Sequence, residues 1–361
     1  MNSLAIALAD TILLRYPNPD GIPYRPWCYV QGYDLCGLEK LWRLTGEQRY
    51  FDYVRRFVDQ HVTEDGVIRG FTGESLDDMM AGTLVVPMYE HTGLAKYRLA
   101  AERILDSFSD YPRNADGGFW HARNLHHEMW VDGVFMGGMF LARFTAVMGD
   151  SPLGFSEVAR QIQCLAAHCR KGQSGLFLHA YDEARQAVWA DPHTGLSPEV
   201  WSEGLGWYAL ILVEVLALMP EGHAEYPAVL AILRELLEGL KQSQDPATGL
   251  WYQVVDKGGL PDNWHDTSGS GMFLYAFQRA IDLGCLPVTD YADVVRKGFA
   301  GLRGKAVIAA DGGVDILDAC DGVCVQRGYR DYIDYPRVKN AKEAVGSALW
   351  AAVQIEKPAG P

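Results

Sequence analysis

The chain has 361 residues, 48% of them hydrophobic, with a formal charge of -14 at pH 7 and a pI near 5.1. An acidic surface with dispersed Lys and Arg repels nucleic acid and anionic membrane, so neither is expected as a partner. Seven cysteines, an odd number spread from Cys28 to Cys324, offer no paired framework and no zinc-type spacing, and are expected as buried free thiols.

The first apolar stretch, Met1 to Leu14, lacks the basic n-region of a signal peptide and carries Asp10 in its middle. Leu4, Leu8 and Ile12, at i, i+4 and i+8, read instead as one helix face. No apolar run approaches the roughly 18 residues needed to span a bilayer, and a cytoplasmic protein is expected. From a first helix at roughly 2–15, the periodicity and end signals predict further helices at 28–45, 47–62, 76–92, 94–109, 129–148, 153–170, 199–219, 225–242, 266–283, 289–302 and 339–355. No linker long or biased enough to divide the chain interrupts this series, so one domain over 1–361 is expected.

Six of these helices start in a similar way. A short polar cluster holding Gly or Ala runs into an apolar stretch at Tyr29-Val30-Gln31-Gly32-Tyr33, at Asp77-Asp78-Met79-Met80-Ala81-Gly82 and at Trp130-Val131-Asp132-Gly133. It returns at Trp201-Ser202-Glu203-Gly204, at His265-Asp266-Thr267-Ser268-Gly269 and at Lys342-Glu343-Ala344-Val345-Gly346, and all but the first carry a leading acid. A spacing of about 50 to 75 residues is that of a stacked or closed array of similar units. Gly-aromatic turns such as Gly118-Phe119-Trp120-His121, Gly175-Leu176-Phe177-Leu178-His179 and Gly249-Leu250-Trp251-Tyr252-Gln253 recur between helices. Asp65-Gly66-Val67-Ile68 and Asp311-Gly312-Gly313-Val314 look like degenerate copies. Gly permits the left-handed turn of a helix exit or hairpin there. Twelve helices in alternating inner and outer rings make an all-α (α/α)6 barrel with short β-hairpin loops on one face. An open α-solenoid is the competing arrangement.

If the inner helices all begin at one face, their leading acids converge on a central cavity. Asp77, Asp78, Asp132, Glu203, Asp266 and Glu343 form this set, although an acid at a helix start also serves as a cap for free backbone N–H groups. Trp130, Trp201, Trp207, Trp264, His121, His179 and His265 lie in or beside the same loops. Flat apolar rings match sugar faces, and carboxyls bind hydroxyls or move protons, so the combination points to carbohydrate chemistry. His121, His126, His127 and Glu128 fit no metal-ligand spacing, and no phosphate loop follows a strand, so no metal or cofactor is expected. Ser268 and Ser270 stand near His265 and Asp266 without a Gly-x-Ser-x-Gly elbow.

The run His127-Glu128-Met129-Trp130-Val131-Asp132-Gly133-Val134-Phe135-Met136, the segment Leu76-Asp77-Asp78-Met79-Met80-Ala81-Gly82 and the loops ending in His121 and His179 resemble glycoside hydrolase family 105. So do Trp201-Ser202-Glu203-Gly204-Leu205-Gly206-Trp207, Leu250-Trp251-Tyr252-Gln253 and Thr267-Ser268-Gly269-Ser270-Gly271-Met272-Phe273. These are the unsaturated rhamnogalacturonyl hydrolases, related to the family 88 unsaturated glucuronyl hydrolases. The resemblance, from about Trp27 to Glu356, implies an (α/α)6 barrel and an oligosaccharide substrate ending in a 4,5-unsaturated uronic acid. It also implies hydration of that enol ether in place of the usual displacement at the anomeric carbon. By motif match Asp132 is the general acid and Asp77 its assisting carboxylate. Trp130 and the charge of Asp77 would favour a protonated Asp132.

The resemblance also puts His121 and His179 in the sugar subsite, with Trp130, Trp201 and Trp207 as walls and Tyr29 or Tyr33 as hydroxyl contacts. One residue departs from the pattern. Where the family presents Trp-x-Arg-Gly, this chain has Trp201-Ser202-Glu203-Gly204, and a glutamate would repel a uronate unless protonated or turned away. His265, Lys339 and Arg337, from neighbouring loops, are the candidates to hold the carboxylate instead. Two other readings stay open: an (α/α)6 sugar epimerase or isomerase, which needs a histidine pair for proton abstraction, and a non-catalytic carbohydrate-binding toroid, whose acids would be caps only.

Overall fold

A computed structural model describes residues 3–149 and 151–357. In chain order the helices are α1 (Leu4–Arg15), α2 (Tyr29–Thr45), α3 (Gln48–His61), α4 (Leu76–Gly82), α5 (Val85–Thr92), α6 (Ala95–Asp106), α7 (Val131–Met148), α8 (Phe155–Cys169), α9 (Ser202–Leu218), α10 (Tyr226–Ser243), α11 (Thr267–Asp282), α12 (Val288–Gly304), α13 (Tyr329–Ile333) and α14 (Ala344–Ile355). Six short strands pair as three two-stranded antiparallel sheets: β1 (Glu128–Trp130) with β2 (Ala180–Asp182), β3 (Ala306–Ile308) with β4 (Val314–Ile316), and β5 (Ala319–Cys320) with β6 (Arg337–Val338).

Helices α2, α4, α7, α9, α11 and α14 each pack on the next, and α14 returns to α2, so the inner ring closes. This excludes the solenoid and gives the (α/α)6 barrel. The ring helices are buried over most of their circumference; α9 buries every residue from Ser202 to Leu216, as a helix surrounded by neighbours must. The outer helices α3, α8, α10 and α12 instead keep a polar face outward, with buried residues recurring at helical spacing. Small residues set the seams. A Cβ on Gly32 would stand 2.7 Å from the Met80 carbonyl oxygen, and one on Gly269 would stand 2.7 Å from the Ser202 carbonyl carbon. The first and last helices are tied through Glu356, whose carboxylate accepts from Ser3 Oγ (2.9 Å), Leu4 N (3.0 Å) and Ala5 N (3.1 Å) and so caps α1.

Connections from inner to outer helices are short, whereas each outer helix reaches the next inner one through a long loop. All inner N-termini and all long loops therefore share one face. The Gly-aromatic turns open these loops, with Gly66, Gly117, Gly175, Gly249 and Gly312 at φ of 78°, 95°, 73°, 76° and 83°. Each of these conformations would strain a residue bearing a Cβ.

Four details differ from the sequence expectation. The helix predicted at 76–92 breaks at Thr83-Leu84, because Pro87 has no N–H for the Thr83 carbonyl and its ring crowds that oxygen. The last helix begins at Ala344, not 339, because Arg337 and Val338 pair as β6 and Asn340 takes a left-handed turn at φ 54°. Six cysteines are buried and free, but Cys324 is exposed. Helix α7 is, by length and composition, apolar enough to cross a membrane, contrary to the expectation that no run comes near that length. Here it is a ring helix between α4 and α9, and 78% of that stretch is buried inside the barrel.

Candidate active site

A belt of backbone hydrogen bonds links the long loops and sets the height of each inner helix start. Leu76 N donates to His121 O (3.1 Å), His121 N to Glu128 O (2.7 Å), Val131 N to His179 O (3.0 Å) and His179 N to Glu199 O (3.2 Å). The belt continues from Ser202 N to Gln253 O (3.0 Å) and from Thr267 N to Asp318 O (3.0 Å). The pairing of Trp130 with Ala180 in β1 and β2 brings the Asp132 helix start beside His179. Asp132 and His179 are 47 residues apart, yet their relative position is fixed by main chain.

The belt surrounds a cavity of about 780 Å³ whose lining includes Asp77, His121, Trp130, Asp132, Trp201, Glu203, Trp207, Tyr29 and Lys342. Asp132 Oδ2 lies 3.1 Å from Nε2 of the fully buried His179, whose Nδ1 lies 2.7 Å from the Tyr332 hydroxyl. That hydroxyl also accepts from Gln326 N–H at 3.2 Å. The arrangement that satisfies every group has Tyr332 O–H donating to Nδ1 and His179 Nε2–H donating to Asp132. In the same cavity Asp77 Oδ1 stands 3.7 Å from His121 Nε2. The His121 ring lies on Trp130, with centroids 4.3 Å apart and planes 9° apart, and Trp130 Nε1 is anchored on Glu128 Oε2 at 2.9 Å.

Capping explains only one of the six leading acids. Asp266 is the N-cap of α11 and accepts from Ser268 N–H and Gly269 N–H. Asp77, Asp78, Asp132 and Glu203 lie inside the first turns of α4, α7 and α9. Ser75 caps α4 through its hydroxyl, and neither α7 nor α9 has a side-chain cap. Asp78 is taken up by Arg25 (2.8 Å). Glu343 accepts from the Tyr29 hydroxyl and faces Lys342 Nζ at 3.4 Å.

Burial dominates the electrostatics of this rim. It pushes the Asp77 carboxyl above the usual range, the His121 imidazole opposing this and the charge of Asp132 adding to it. Burial raises Glu203 well above its ordinary value, with Glu343 and Asp266 contributing in the same direction. It pushes Glu343 up to about 7 even though Lys342 and Tyr29 favour the anion. Raised carboxyls that line a cavity, here Asp77 and Glu203, are a mark of functional sites.

Several expected contacts lie elsewhere. Tyr33 is buried against Trp207 (4.6 Å between centroids) and Trp350 (4.9 Å) and does not line the cavity, because the inner seam closes over it. His179 stands behind Asp132 and touches the carboxyl rather than the open space. His265 is drawn to Asp245 (2.9 Å) and covered by Tyr252, Lys339 is drawn to Asp315 (2.8 Å), and Arg337 to Asp318 (2.7 Å). None of these three side chains lines the cavity. Of the suspected histidine group, His126 and His127 lie against Trp120 and only His121 faces the cavity. Among the described residues no cluster of three or more His, Cys, Asp or Glu is arranged to hold a metal ion.

Sequence reasoning passed over Lys342 and Tyr332. Lys342 precedes Glu343 in the sixth helix start and carried a signal. Tyr332 lies on α13, a five-residue helix without a periodic pattern, and had none.

The profile of Glycosyl Hydrolase Family 88 matches residues 7–359. The solved structure of a C. acetobutylicum ATCC 824 glycoside hydrolase from family 105 superposes with a TM-score of 0.92 at 28% identity, over 98% of this chain and 99% of that one. The 24.9 kDa protein in the picA locus of Rhizobium radiobacter is 44% identical over 193 residues, 49% of this chain and 80% of that protein. An unsaturated 3S-rhamnoglycuronyl hydrolase of Alteromonas sp. (strain LOR) is 26% identical over 182 residues, 49% of this chain and 41% of that protein. The chain thus belongs to glycosyl hydrolase family 88, and the enzyme class expected from its sequence, a glycoside hydrolase for unsaturated uronides, follows from that membership.

Proposed function

We propose that the protein is a rhamnogalacturonyl-type hydrolase. It would release the 4,5-unsaturated uronic acid from the non-reducing end of lyase-generated oligosaccharides in which rhamnose is the next sugar. The observation that carries this reading is the pair of cavity-facing carboxyls, Asp132 on its His179–Tyr332 support and Asp77 beside His121, under the Trp130 wall. The Alteromonas relative, named for a rhamnoglycuronyl substrate, supports rhamnose as the neighbouring sugar.

In this reading Asp132 delivers a proton to C4 while the C4=C5 electron pair forms the new C–H bond, and the ring oxygen stabilises the cation left at C5. Water attacks C5 and gives its proton to the carboxylate, restoring the acid. The resulting hemiketal opens to a C5 ketone, and the hemiacetal exposed at C1 expels the aglycone as an alcohol. Asp132 can hold its proton on one oxygen while the other accepts from His179. Asp77, which burial pushes above the usual carboxyl range, faces the same cavity as the assisting carboxyl.

An epimerase would need two histidines reaching the substrate. His179 is buried behind Asp132, which leaves His121 alone in the cavity and weighs against that alternative. A binding-only toroid would use its acids as caps, and only Asp266 does so. The test is the ultraviolet absorbance of the conjugated uronate in lyase-generated rhamnogalacturonan, glycosaminoglycan and alginate oligosaccharides. The expected result is fast loss with the first; an unchanged signal with all three would sink the hydration reading, and preference for another would sink the rhamnogalacturonyl assignment.

A further inference from the structure

A uronide carries a carboxylate that must meet a positive group, and the family's arginine is here Glu203. Among the cavity-lining residues the full cations are Arg15 and Lys342. The Arg15 guanidinium is committed, with Nε 2.8 Å and Nη2 3.1 Å from the two Asp311 oxygens and Nη2 2.8 Å from Asp315. Lys342 donates to the Asp321 backbone oxygen at 2.6 Å and stands 3.4 Å from Glu343 Oε1. An ammonium has three donors, so these contacts leave one for a ligand, and the cavity wall beside it holds Asp321, Gly322 and Cys324.

Glu203 is in a state that would not repel an anion. The Ser268 hydroxyl lies 2.7 Å from Glu203 Oε2 and 2.8 and 2.9 Å from the two Asp266 oxygens. One hydroxyl carries one proton and cannot donate to two carboxylates, so one of the acids must donate to Ser268 Oγ. Asp266 also accepts from the N–H groups of Ser268 (3.2 Å), Gly269 (2.8 Å) and Cys320 (3.0 Å), which occupy both its oxygens. The proton therefore belongs to Glu203, and the Ser268 hydroxyl donates its hydrogen bond to Asp266.

We propose that Lys342 binds the substrate carboxylate, and that Glu203, held as a neutral acid by Ser268 and Asp266, accompanies it where the family uses arginine. The proposal rests on the uronide reading above. It makes a relay of three buried residues the reason a glutamate is tolerated at the family's arginine position. Burial acts in the same direction on Glu203.

The test compares the unsaturated uronide with its uncharged methyl ester in the intact protein and in Lys342→Gln and Lys342→Arg. The native protein should prefer the acid over the ester on the order of 10- to 100-fold in kcat/KM, the range of a charged hydrogen bond. Lys342→Gln should lose that preference through KM while still turning over the ester, and Lys342→Arg should keep most of it. An undiminished preference in Lys342→Gln overturns the proposal, whereas inactivity of the native protein on every unsaturated uronide overturns the reading beneath it. Infrared spectra supply the second arm: a protonated-carboxyl C=O band at neutral pH should vanish in Glu203→Gln. A spectrum unaltered by that substitution overturns the neutral acid.

Discussion

The two ends of the inner ring are built from the same helices and treat charge in opposite ways. At the C-terminal end, about a dozen residues and so roughly 17 Å below the rim, Glu39, Lys40, Arg143, Glu214 and Tyr275 form a closed network. Lys40 Nζ lies 2.8 Å from both Glu214 Oε2 and the Tyr275 hydroxyl, that hydroxyl donates to Glu214, and Arg143 lies 3.0 Å from Glu39. Burial alone would raise Glu214, yet Lys40, Arg279 and Arg143 pull it down to about 2. At the N-terminal end burial outweighs the groups that oppose it, and Asp77, Glu203, Glu343 and Asp34 are all raised. Paired carboxylates hold the ring together, and raised ones gather at the rim of the cavity in which the proposed hydration would take place.

The sharpest way to break this contrast is to remove one carboxyl at each end. Asp132→Asn should lower the rate of chromophore loss on the order of 10³-fold, the size of a general-acid effect, with the melting temperature close to native. An active Asp132→Asn protein would remove that residue from the mechanism. At the opposite end Glu214→Gln leaves the Lys40 ammonium buried against a neutral partner and should destabilise by about 3 to 5 kcal/mol in denaturant titrations, with KM unmoved. Because the Glu214 pKa is depressed, its contribution is fully present above the unfolded value near 4.3 and lost as pH falls toward about 2. The gap between Glu214→Gln and the native protein should close over that window.

The contrast was only half visible in the amino-acid sequence. The rim was legible because its acids recur beside Gly and Trp at each helix start, so Asp77, Asp132, Trp130 and the barrel itself could be read from spacing and resemblance. The lower network was not, because Glu39-Lys40, Arg143 and Glu214 sit on three different helices, far apart in the chain, and meet only when the ring closes. The same limit explains the misplaced cations. Lys339 and Arg337 come only three and five residues before Lys342, but the β5–β6 pairing and the turn at Asn340 take them to Asp315 and Asp318. His265 adjoins the Asp266 cap yet faces Asp245, since neighbouring residues at a strand-like entry point to opposite sides.

A smaller effect tests whether the rim is held at a cost to the fold. Glu343 is raised to about 7, so between its unfolded value near 4.3 and pH 7 the folded protein binds more protons than the unfolded chain. Stability then falls as pH rises through that window and levels off above it. Glu343→Gln removes the titration and should raise the melting temperature by a few degrees at about pH 8 and by nothing at about pH 4. The groups facing Glu343 are Tyr29, Lys342, Glu203 and Asp34. An equal shift at both pH values would mean that packing, not proton uptake, is responsible.

The smallest expected change isolates positioning from chemistry. Tyr332→Phe removes one oxygen 2.7 Å from His179 Nδ1 and leaves the aromatic packing on Trp201 in place. Without a donor at Nδ1 the imidazole can take the other tautomer and turn a lone pair toward Asp132 Oδ2. The contact then persists only when Asp132 carries its proton on that oxygen, the one facing away from the substrate. A loss of about 10-fold in kcat, the lower end for an orienting partner, should follow with KM unchanged and an altered pH dependence of kcat. If Tyr332 only filled space, Phe would fill it equally well and the pH profile would stay native. Restoration of the native profile by a second substitution that returns a hydroxyl near Nδ1 would then tie the effect to the proton's location, which is the property that separates the upper end of the ring from the lower.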